Sequence, residues 1–441
     1  MAEFHVLVIG KGGREFAYVR KLLKSPEVKV TVAPGLSGML YFLNEEERSR
    51  VVLLPQVKES DTGAIVGLAR EIKHDLIVVG PEDPLILGLA DELQKAGFKV
   101  FGFTKAAAEL EGSKRLCKEI YQKLGLLTSP AEYFTKPEAA ISRLEGYRQN
   151  GQPVVLKCDN PALGKGVIVV PLNHSDYWQE LKKQIGLMFD PEKPLGFLAK
   201  AVLLENQFAM LNEWSAMSIV GPNNFWLGLV PTKDHKLLNG LNTGGMGIVT
   251  PAPGFSLDDM QKRKPIVRRV AEYMKDCHKT ELCGIFYEGL NRMMAGEDYL
   301  VEVNVRGGDP ETQPQLEFIE GAPLHEILLA AVEGKTEILS RVRIPEDKVL
   351  VGVVMASKGY PGSYEKGKEI KLPKDLPAPG MIFPAGLAWE DNKLYTAGGR
   401  VLLAVGEGKT ISSARNRVYA IVSSIKHDGA LVWRDDIGIA A

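Results

Sequence analysis

Cysteine is scarce in this 441-residue chain. There are four, Cys117, Cys158, Cys277 and Cys283, and no C-x-x-C pair among them. That excludes a disulfide-stapled scaffold and the common zinc spacings, and leaves free core thiols in a reducing compartment as the expectation. A surplus of either charge is missing too. Lys and Arg number 54 against 55 Asp and Glu, a net charge of −1, which removes the basic imbalance expected of a nucleic-acid binder. No apolar run reaches the ~18–20 residues that a membrane-crossing helix needs. The start, MAEFHVLVIGKGG, carries neither a basic leader nor a cleavage site and reads as a strand. Repeats and low-complexity linkers are absent. A cytoplasmic protein with neither nucleic-acid nor membrane partners is expected.

What is present is a globular composition, 45% hydrophobic, in a chain too long for a single core and long enough for about three domains. The first hundred residues alternate short apolar strands (5–9, 28–33, 76–79, 99–101) with helical patterns (14–23, 62–72, 85–96). That alternation predicts a doubly wound parallel sheet with ligands at the carboxyl ends of its strands. A long helical stretch over 106–124 follows. Two strands around a glycine-bearing turn (154–157, 167–170) come next, then a helix (176–189) and antiparallel-type runs over 203–230. Helices over 266–278 and 324–334 flank a strand pair (285–294, 299–304). Short strands dominate the last hundred residues, with one helix over 411–425. The fold class expected is α/β joined to α+β.

Four segments carry candidate chemistry. Gly10-Lys11-Gly12-Gly13-Arg14 follows the first strand, where glycines let backbone N–H groups approach a phosphate and Arg14 adds charge. It is not a full dinucleotide fingerprint, and Ala33-Pro34-Gly35 stands where an acidic ribose reader would end the second strand, so a nicotinamide site is disfavoured. Lys157 ends an apolar strand, and Gly164-Lys165-Gly166 supplies a glycine loop between two strands, not a strand-to-helix phosphate loop. Glu302, Asn304 and Arg306 alternate with Val301, Val303 and Val305, which puts the three on one strand face. A carboxylate and an amide oxygen suit Mg²⁺, and Arg306 would steady a moving phosphoryl group. Asn242-Thr243-Gly244-Gly245-Met246-Gly247 permits close backbone approach to a ligand, with Asp234-His235-Lys236 flanking it. No Ser/His/Asp arrangement suggests nucleophilic catalysis.

Taken in order, VLVIGKGGRE, LIVVGPEDPL, LEGSKRLCKEI, VVLKCDNPALGKGVIVV, NTGGMG, EVNVRGGDPETQP and TAGGRV make the chain resemble the phosphoribosylamine–glycine ligases, ATP-grasp enzymes of purine synthesis, along nearly its whole length. The resemblance implies a PreATP-grasp domain (1–104), an ATP-grasp domain (105–333, its mobile subdomain about 125–200) and a small β-rich C-terminal domain (334–441). It implies ATP, glycine and phosphoribosylamine or a related amine as substrates, Mg²⁺ (or Mn²⁺) as cofactor, and a monomer or weak homodimer. It assigns Lys114, Lys157, Gly164, Lys165, Gly166, Glu205 and Glu213 to the nucleotide, and Glu302 and Asn304 to the metal. Arg306, Lys236 and Asp309 go to the reacting groups. Gly10, Gly13, Arg14, Pro81, Glu82, Gly245, Met246 and Arg400 go to the substrate loops.

The chain departs from the family pattern where Phe16 replaces a His, where the loop Asn239–Leu241 is short, where Gly307 follows Arg306, and at Pro384. Phe16, the short loop and Gly307 lie where the acceptor would be recognised. They keep two alternatives beside the main reading: a paralogue ligating a different amine or amino acid, and a catalytically silent nucleotide-binding homologue.

Overall fold

The computed structural model describes residues 3–159, 166–192, 198–208 and 210–439. Two compact units emerge, and neither is continuous in sequence. One comprises Met1–Ala108, Ser215–Tyr287 and Val305–Ala441; the other comprises Glu109–Trp214 and Glu288–Asn304.

The first unit begins with five strands, Phe4–Gly10, Val28–Pro34, Val51–Leu53, Leu76–Val79 and Val100–Phe101, in the spatial order third, second, first, fourth, fifth. All pairs are parallel, as the strand–helix alternation predicts. The winding reverses between the first and fourth strands, so the switch point lies at their carboxyl ends, beside Gly10 and Gly80. The helix expected over 85–96 is two helices, Glu82–Leu87 and Leu89–Lys95. Gly88 between them adopts φ 89°, a left-handed conformation that ends the first helix.

The same unit carries an antiparallel sheet ordered Lys233–Asp234, Gly247–Thr250, Val349–Ser357, Arg400–Gly408, Gly380–Pro384, with Leu431–Val432 beside Val349–Ser357. Helix Ile411–Ser424 covers it, burying Ala414, Val418, Ile421 and Val422. Helix Leu257–His278 starts nine residues before its expected beginning at 266. A capping box of Ser256 and Asp259 opens it, and Pro265 is accommodated inside. The short loop Asn239–Leu241 belongs to a tight hairpin. Leu237–Leu238 pairs with Leu241–Asn242, and Asn239 (φ 50°) and Gly240 (φ 78°) supply the two left-handed residues of such a turn.

Phe16 corrects a sequence expectation. It sits on helix Gly13–Leu22 but faces the core, 1% exposed, with edge-to-face contacts to Phe42 and Phe383 at 6.1 and 6.4 Å. The residue that departs from the family pattern is therefore a packing residue, and no substrate donor is lost from a solvent-facing position.

In the second unit the strands run in the order Ala131–Phe134, Val202–Asn206, Val154–Cys158, Val167–Ile168, all antiparallel. Helices Pro137–Gln149 and Tyr177–Phe189 bury Ala140, Leu144 and Tyr147, and Leu181, Ile185 and Met188, in one core with them. The stretch expected to be helical over 106–124 breaks at Ser113. Its Oγ accepts from the Leu116 N–H and starts a new helix, Lys114–Lys123. Strand Asp298–Asn304 closes a hairpin whose turn bonds Met293 N–H to Glu297 O at 2.8 Å, with Gly296 at φ 88°. Three of the cysteines are buried free thiols, and Cys277 is exposed. No described helix is long and apolar enough to cross a membrane.

Candidate active site

The second unit holds the residues expected around the nucleotide. Lys157, next to last on strand Val154–Cys158, is 3% exposed. Its Nζ lies 3.0 and 2.9 Å from the two oxygens of Glu205 and donates to Val301 O at 3.2 Å. Glu205 takes a second lysine: Lys118 Nζ is 2.9 Å from Oε2 and also bonds Thr128 Oγ1 and Ser129 O, both at 2.9 Å. Burial pulls the Lys118 ammonium below its usual range, against the attraction of Glu205. The sequence reading missed Lys118. The signal was its place four residues after Lys114, hence on the same face of helix Lys114–Lys123.

Lys114 opens that helix and is half-buried. Beside it, Asp159 accepts from Ser113 Oγ at 3.2 Å and Arg115 N–H at 2.8 Å. Gly166 is buried, and its carbonyl accepts from Cys158 N–H at 2.7 Å. Gly164 and Lys165 lie outside the described residues. Glu213 is exposed on strand Met210–Gly221.

Glu302 and Asn304 are two apart on strand Asp298–Asn304 and share a face. The strand ends there. Arg306 lies in the bend beyond it, so the alternation argument covers only the first two of the three. Among the described residues no group of three or more His, Cys, Asp or Glu could hold a metal ion. One carboxylate and one amide oxygen are too few for an all-protein calcium or zinc cage. They fit Mg²⁺, which keeps waters and takes phosphate oxygens.

The first unit gathers the residues expected around the substrates. At the switch point the glycine turn is filled by an internal carboxylate. Gly12 N–H donates to Glu15 Oε2 at 2.7 Å, Arg14 Nε to Glu15 Oε1 at 2.7 Å, and a Cβ on either Gly10 or Gly80 would overlap the Glu15 side chain. The Gly12 N–H is thus committed within the protein. Arg14 reaches onward, donating to Gly307 O at 3.0 Å, with NH1 3.8 Å from Glu82. Arg306 Nε stands 3.2 Å from the same Glu82 oxygen. Gly307 has a reason to lack a side chain: a Cβ there would overlap the Thr312 hydroxyl.

Pro81 caps the helix that starts at Glu82. Burial favours the neutral form of Glu82, but Arg306 and Arg14 outweigh it and hold the carboxyl down at about 2. A depressed folded-state value gives stability that is full above the unfolded value, near 4.5, and fades as pH falls toward 2. Glu82→Gln is therefore expected to flatten the acid limb of the stability profile between about pH 4.5 and 2. Urea unfolding followed across that range checks it; an unchanged limb contradicts the pairing.

Arg400 fastens two loops together. It donates to Gly244 O at 2.5 Å and to Asp309 O, and its NH2 pairs with Asp309 Oδ2 at 2.9 Å. Gly244 N–H in turn donates to Tyr360 OH at 3.2 Å. Gly245 (φ 113°) leaves no room for a side chain: a Cβ would fall 3.0 Å from Asp234 Oδ1 and against Pro310. Met246 is fully buried beneath it. Lys236 is half-buried, and its carbonyl accepts from Thr243 N–H and Oγ1 at 2.8 and 2.7 Å. Sequence reasoning passed over Glu311, which is 3% exposed and 3.4 Å from Ser215 Oγ. Burial pushes its carboxyl above the usual range although Lys236 and Arg306 oppose it. It also passed over Gln313, 1% exposed against the glycine turn.

Similarity to known proteins follows the same parts. The N domain of phosphoribosylglycinamide synthetase matches residues 4–111, its ATP-grasp domain 112–312 and its C domain 350–440. The chain is 36% identical to phosphoribosylamine–glycine ligase of Halalkalibacterium halodurans, with 99% of this chain and 97% of that protein aligned. It is 37% identical to the Synechocystis enzyme over 98% and 99%. The crystal structure of phosphoribosylamine–glycine ligase from Thermotoga maritima superposes with a TM-score of 0.78 at 29% identity, covering 98% of this chain and 99% of that one. The biotin carboxylase domain of a Hydrogenobacter thermophilus 2-oxoglutarate carboxylase, solved with MgADP, shares the fold at a TM-score of 0.71 and 14% identity over 98% and 92%. The chain therefore belongs to the phosphoribosylamine–glycine ligase family of ATP-grasp proteins.

Proposed function

We propose that this protein joins glycine to 5-phosphoribosylamine at the expense of ATP, giving glycinamide ribonucleotide, ADP and phosphate. A glycine carboxylate is a poor acyl donor at neutral pH. Its oxygen attacks the γ-phosphorus of ATP, the bond from that phosphorus to the bridging oxygen breaks and ADP leaves with the electron pair, and the resulting glycyl phosphate carries a good leaving group. The amine of the second substrate then attacks the acyl carbon, the C–O bond to phosphate breaks, and the amine gives up a proton. Lys114 and Lys157 offset phosphate charge, with Glu205 positioning Lys157 and Lys118. Glu302 and Asn304 would hold Mg²⁺, which when bound neutralises charge on the transferred phosphoryl group. Gly164, Lys165 and Gly166 would cover the phosphates and keep water from the acyl phosphate. Glu205 and Glu213 are proposed to contact the nucleoside.

The observation that carries the acceptor assignment is the guanidinium cluster of Arg14, Arg306 and Arg400 around Glu82 and Asp309, at loops beside the switch point. Such a cluster suits a substrate that is itself phosphorylated. Gly10, Gly13, Pro81, Gly245 and Met246 shape those loops, and Lys236 and Asp309 belong to the same proposed site. The domain division at 1–104, 105–333 and 334–441, a cytoplasmic location and a monomer or weak homodimer complete the reading.

The test is an assay of phosphate release from ATP with glycine and phosphoribosylamine formed in situ from ribose 5-phosphate and ammonia. Release that requires both substrates is expected. Binding of ATP without release, but release with another amine, would transfer the assignment to a paralogous ligase.

A further inference from the structure

The guanidiniums of Arg14, Arg306 and Arg400 are each already matched by a carboxylate. Arg14 lies 2.7 Å from Glu15 and 3.8 Å from Glu82, Arg306 stands 3.2 Å from Glu82, and Arg400 stands 2.9 Å from Asp309. Three cations and three anions balance, so the cluster orients a ligand better than it attracts a doubly charged one. The Arg14, Arg306 and Arg400 side chains are also withdrawn from solvent, 9%, 19% and 22% exposed. The glycine turn does not make up the difference, because the Gly12 N–H is turned inward to Glu15.

Lys11 differs. It stands in the same turn, between strand Phe4–Gly10 and helix Gly13–Leu22, at the carboxyl edge of the sheet where ligands of such folds gather. Its side chain is 52% exposed, and its ammonium meets Glu59 Oε1 at 3.2 Å. The next residue borders the cluster: a Cβ on Gly12 would stand 3.9 Å from Asp309 Oδ2. Glu59 comes from the loop after the edge strand Val51–Leu53. That loop is held in turns by Val57 N–H on Leu54 O and Asp61 N–H on Lys58 O, both at 3.0 Å. An ion pair this exposed is weak and yields to a stronger anion. A carboxylate carries a single negative charge, whereas a phosphate monoester carries about −1.5 to −2 at neutral pH and offers more acceptor oxygens.

We infer that Lys11 binds the phosphate of the acceptor substrate, and that Glu59 is the anion it gives up when that phosphate arrives. The inference rests on the acceptor proposed above. Glu59 holds the ammonium at the crevice in the free enzyme and competes with the substrate for it.

Lys11→Met and Glu59→Gln are compared with wild type as full-length enzymes. The amines are phosphoribosylamine, formed in situ from ribose 5-phosphate and ammonia, and ribosylamine, formed from ribose and ammonia. Lys11→Met is expected to raise KM for phosphoribosylamine by about 10-fold, the loss of one charge-assisted hydrogen bond, while kcat and KM for ATP and glycine hold. Glu59→Gln removes the competitor and is expected to lower the same KM by about two- to fivefold. The opposite signs discriminate, because both substitutions break the same ion pair and a purely structural pair would move both variants alike. A shift in the same direction in both, or in neither, overturns the inference. A rise in Lys11→Met with no change in Glu59→Gln overturns the competition. Ribosylamine has no phosphate, so kcat/KM for whatever turnover it supports should be equal in all three proteins. A loss with ribosylamine as large as that with phosphoribosylamine in Lys11→Met overturns the phosphate contact. A wild type that turns over neither amine overturns the proposed function and this inference with it, whereas the other outcomes bear on Lys11 and Glu59 alone.

Discussion

Lys157→Met is expected to weaken ATP binding by about 10²- to 10³-fold while the protein stays folded. The side chain is buried in a cluster of two ammonium groups and one carboxylate, with Lys118 and Lys157 both within 2.9 Å of Glu205 Oε2. Removing Lys157 leaves Glu205 paired with Lys118, so the carboxylate is not stranded and the larger penalty of an uncompensated buried charge, about 3–5 kcal/mol, is avoided. Methionine keeps the stem's packing. What is lost is the cation proposed to meet the phosphates. Glu205→Gln is the informative contrast, because it leaves two buried ammonium groups facing each other without a counter-charge and should cost more stability than Lys157→Met. Calorimetric titration with ATP and Mg²⁺, alongside thermal unfolding, reads both effects. An unchanged ATP affinity in Lys157→Met would remove the residue from the nucleotide site.

Glu302→Ala is expected to lower kcat by about 10³-fold or more with little change in the fold. Glu302 is partly exposed on strand Asp298–Asn304, so truncation creates no large cavity. With one carboxylate and one amide oxygen proposed as the protein's share of the metal shell, removing the carboxylate takes away the only charge in it. Asn304→Asp tests the same idea from the other side: a second carboxylate should be tolerated by the metal and shift the Mg²⁺ concentration needed for half-maximal rate. Turnover by Glu302→Ala at the wild-type rate across a Mg²⁺ titration would refute the metal role.

Four of the five strands of the parallel sheet were legible because each is a short apolar run, a pattern set by local burial; the edge strand Val51–Leu53, three residues long and only partly buried, was not expected. Also legible were the glycine turn, Lys157 and the Glu302–Asn304 pair, whose residue types already limit their chemistry. Other features depend on contacts between residues far apart in sequence. The direction Phe16 faces was decided by Phe42 and Phe383, not by its neighbours in the GGRE motif. Helix Pro137–Gln149 was not recognised, although Ala140, Leu144 and Tyr147 stand at helical spacing and Ile141 packs beside them, because the rest of the segment is polar and carries Gly146. The break at Gly88 follows from one left-handed residue in a stretch whose apolar spacing is otherwise helical. Lys118 and Gln313 gain meaning only from partners, Glu205 and Asp309, that lie 87 and 4 positions away.

Glu15 gives the switch point a further property. Its side chain occupies the space over Gly10 and over Gly80, two glycines that end different strands, and accepts from the Gly12 N–H and Arg14. Three positions spread over seventy residues therefore share one volume. An alanine at Gly80 would have to displace the Glu15 carboxyl end and, with it, the bonds to the Gly12 N–H and Arg14, whereas a shorter residue at position 15 would make room for it and leave the Gly12 N–H without its carboxylate. A substitution at any one of the three is therefore expected to have an effect that depends on the residues at the other two.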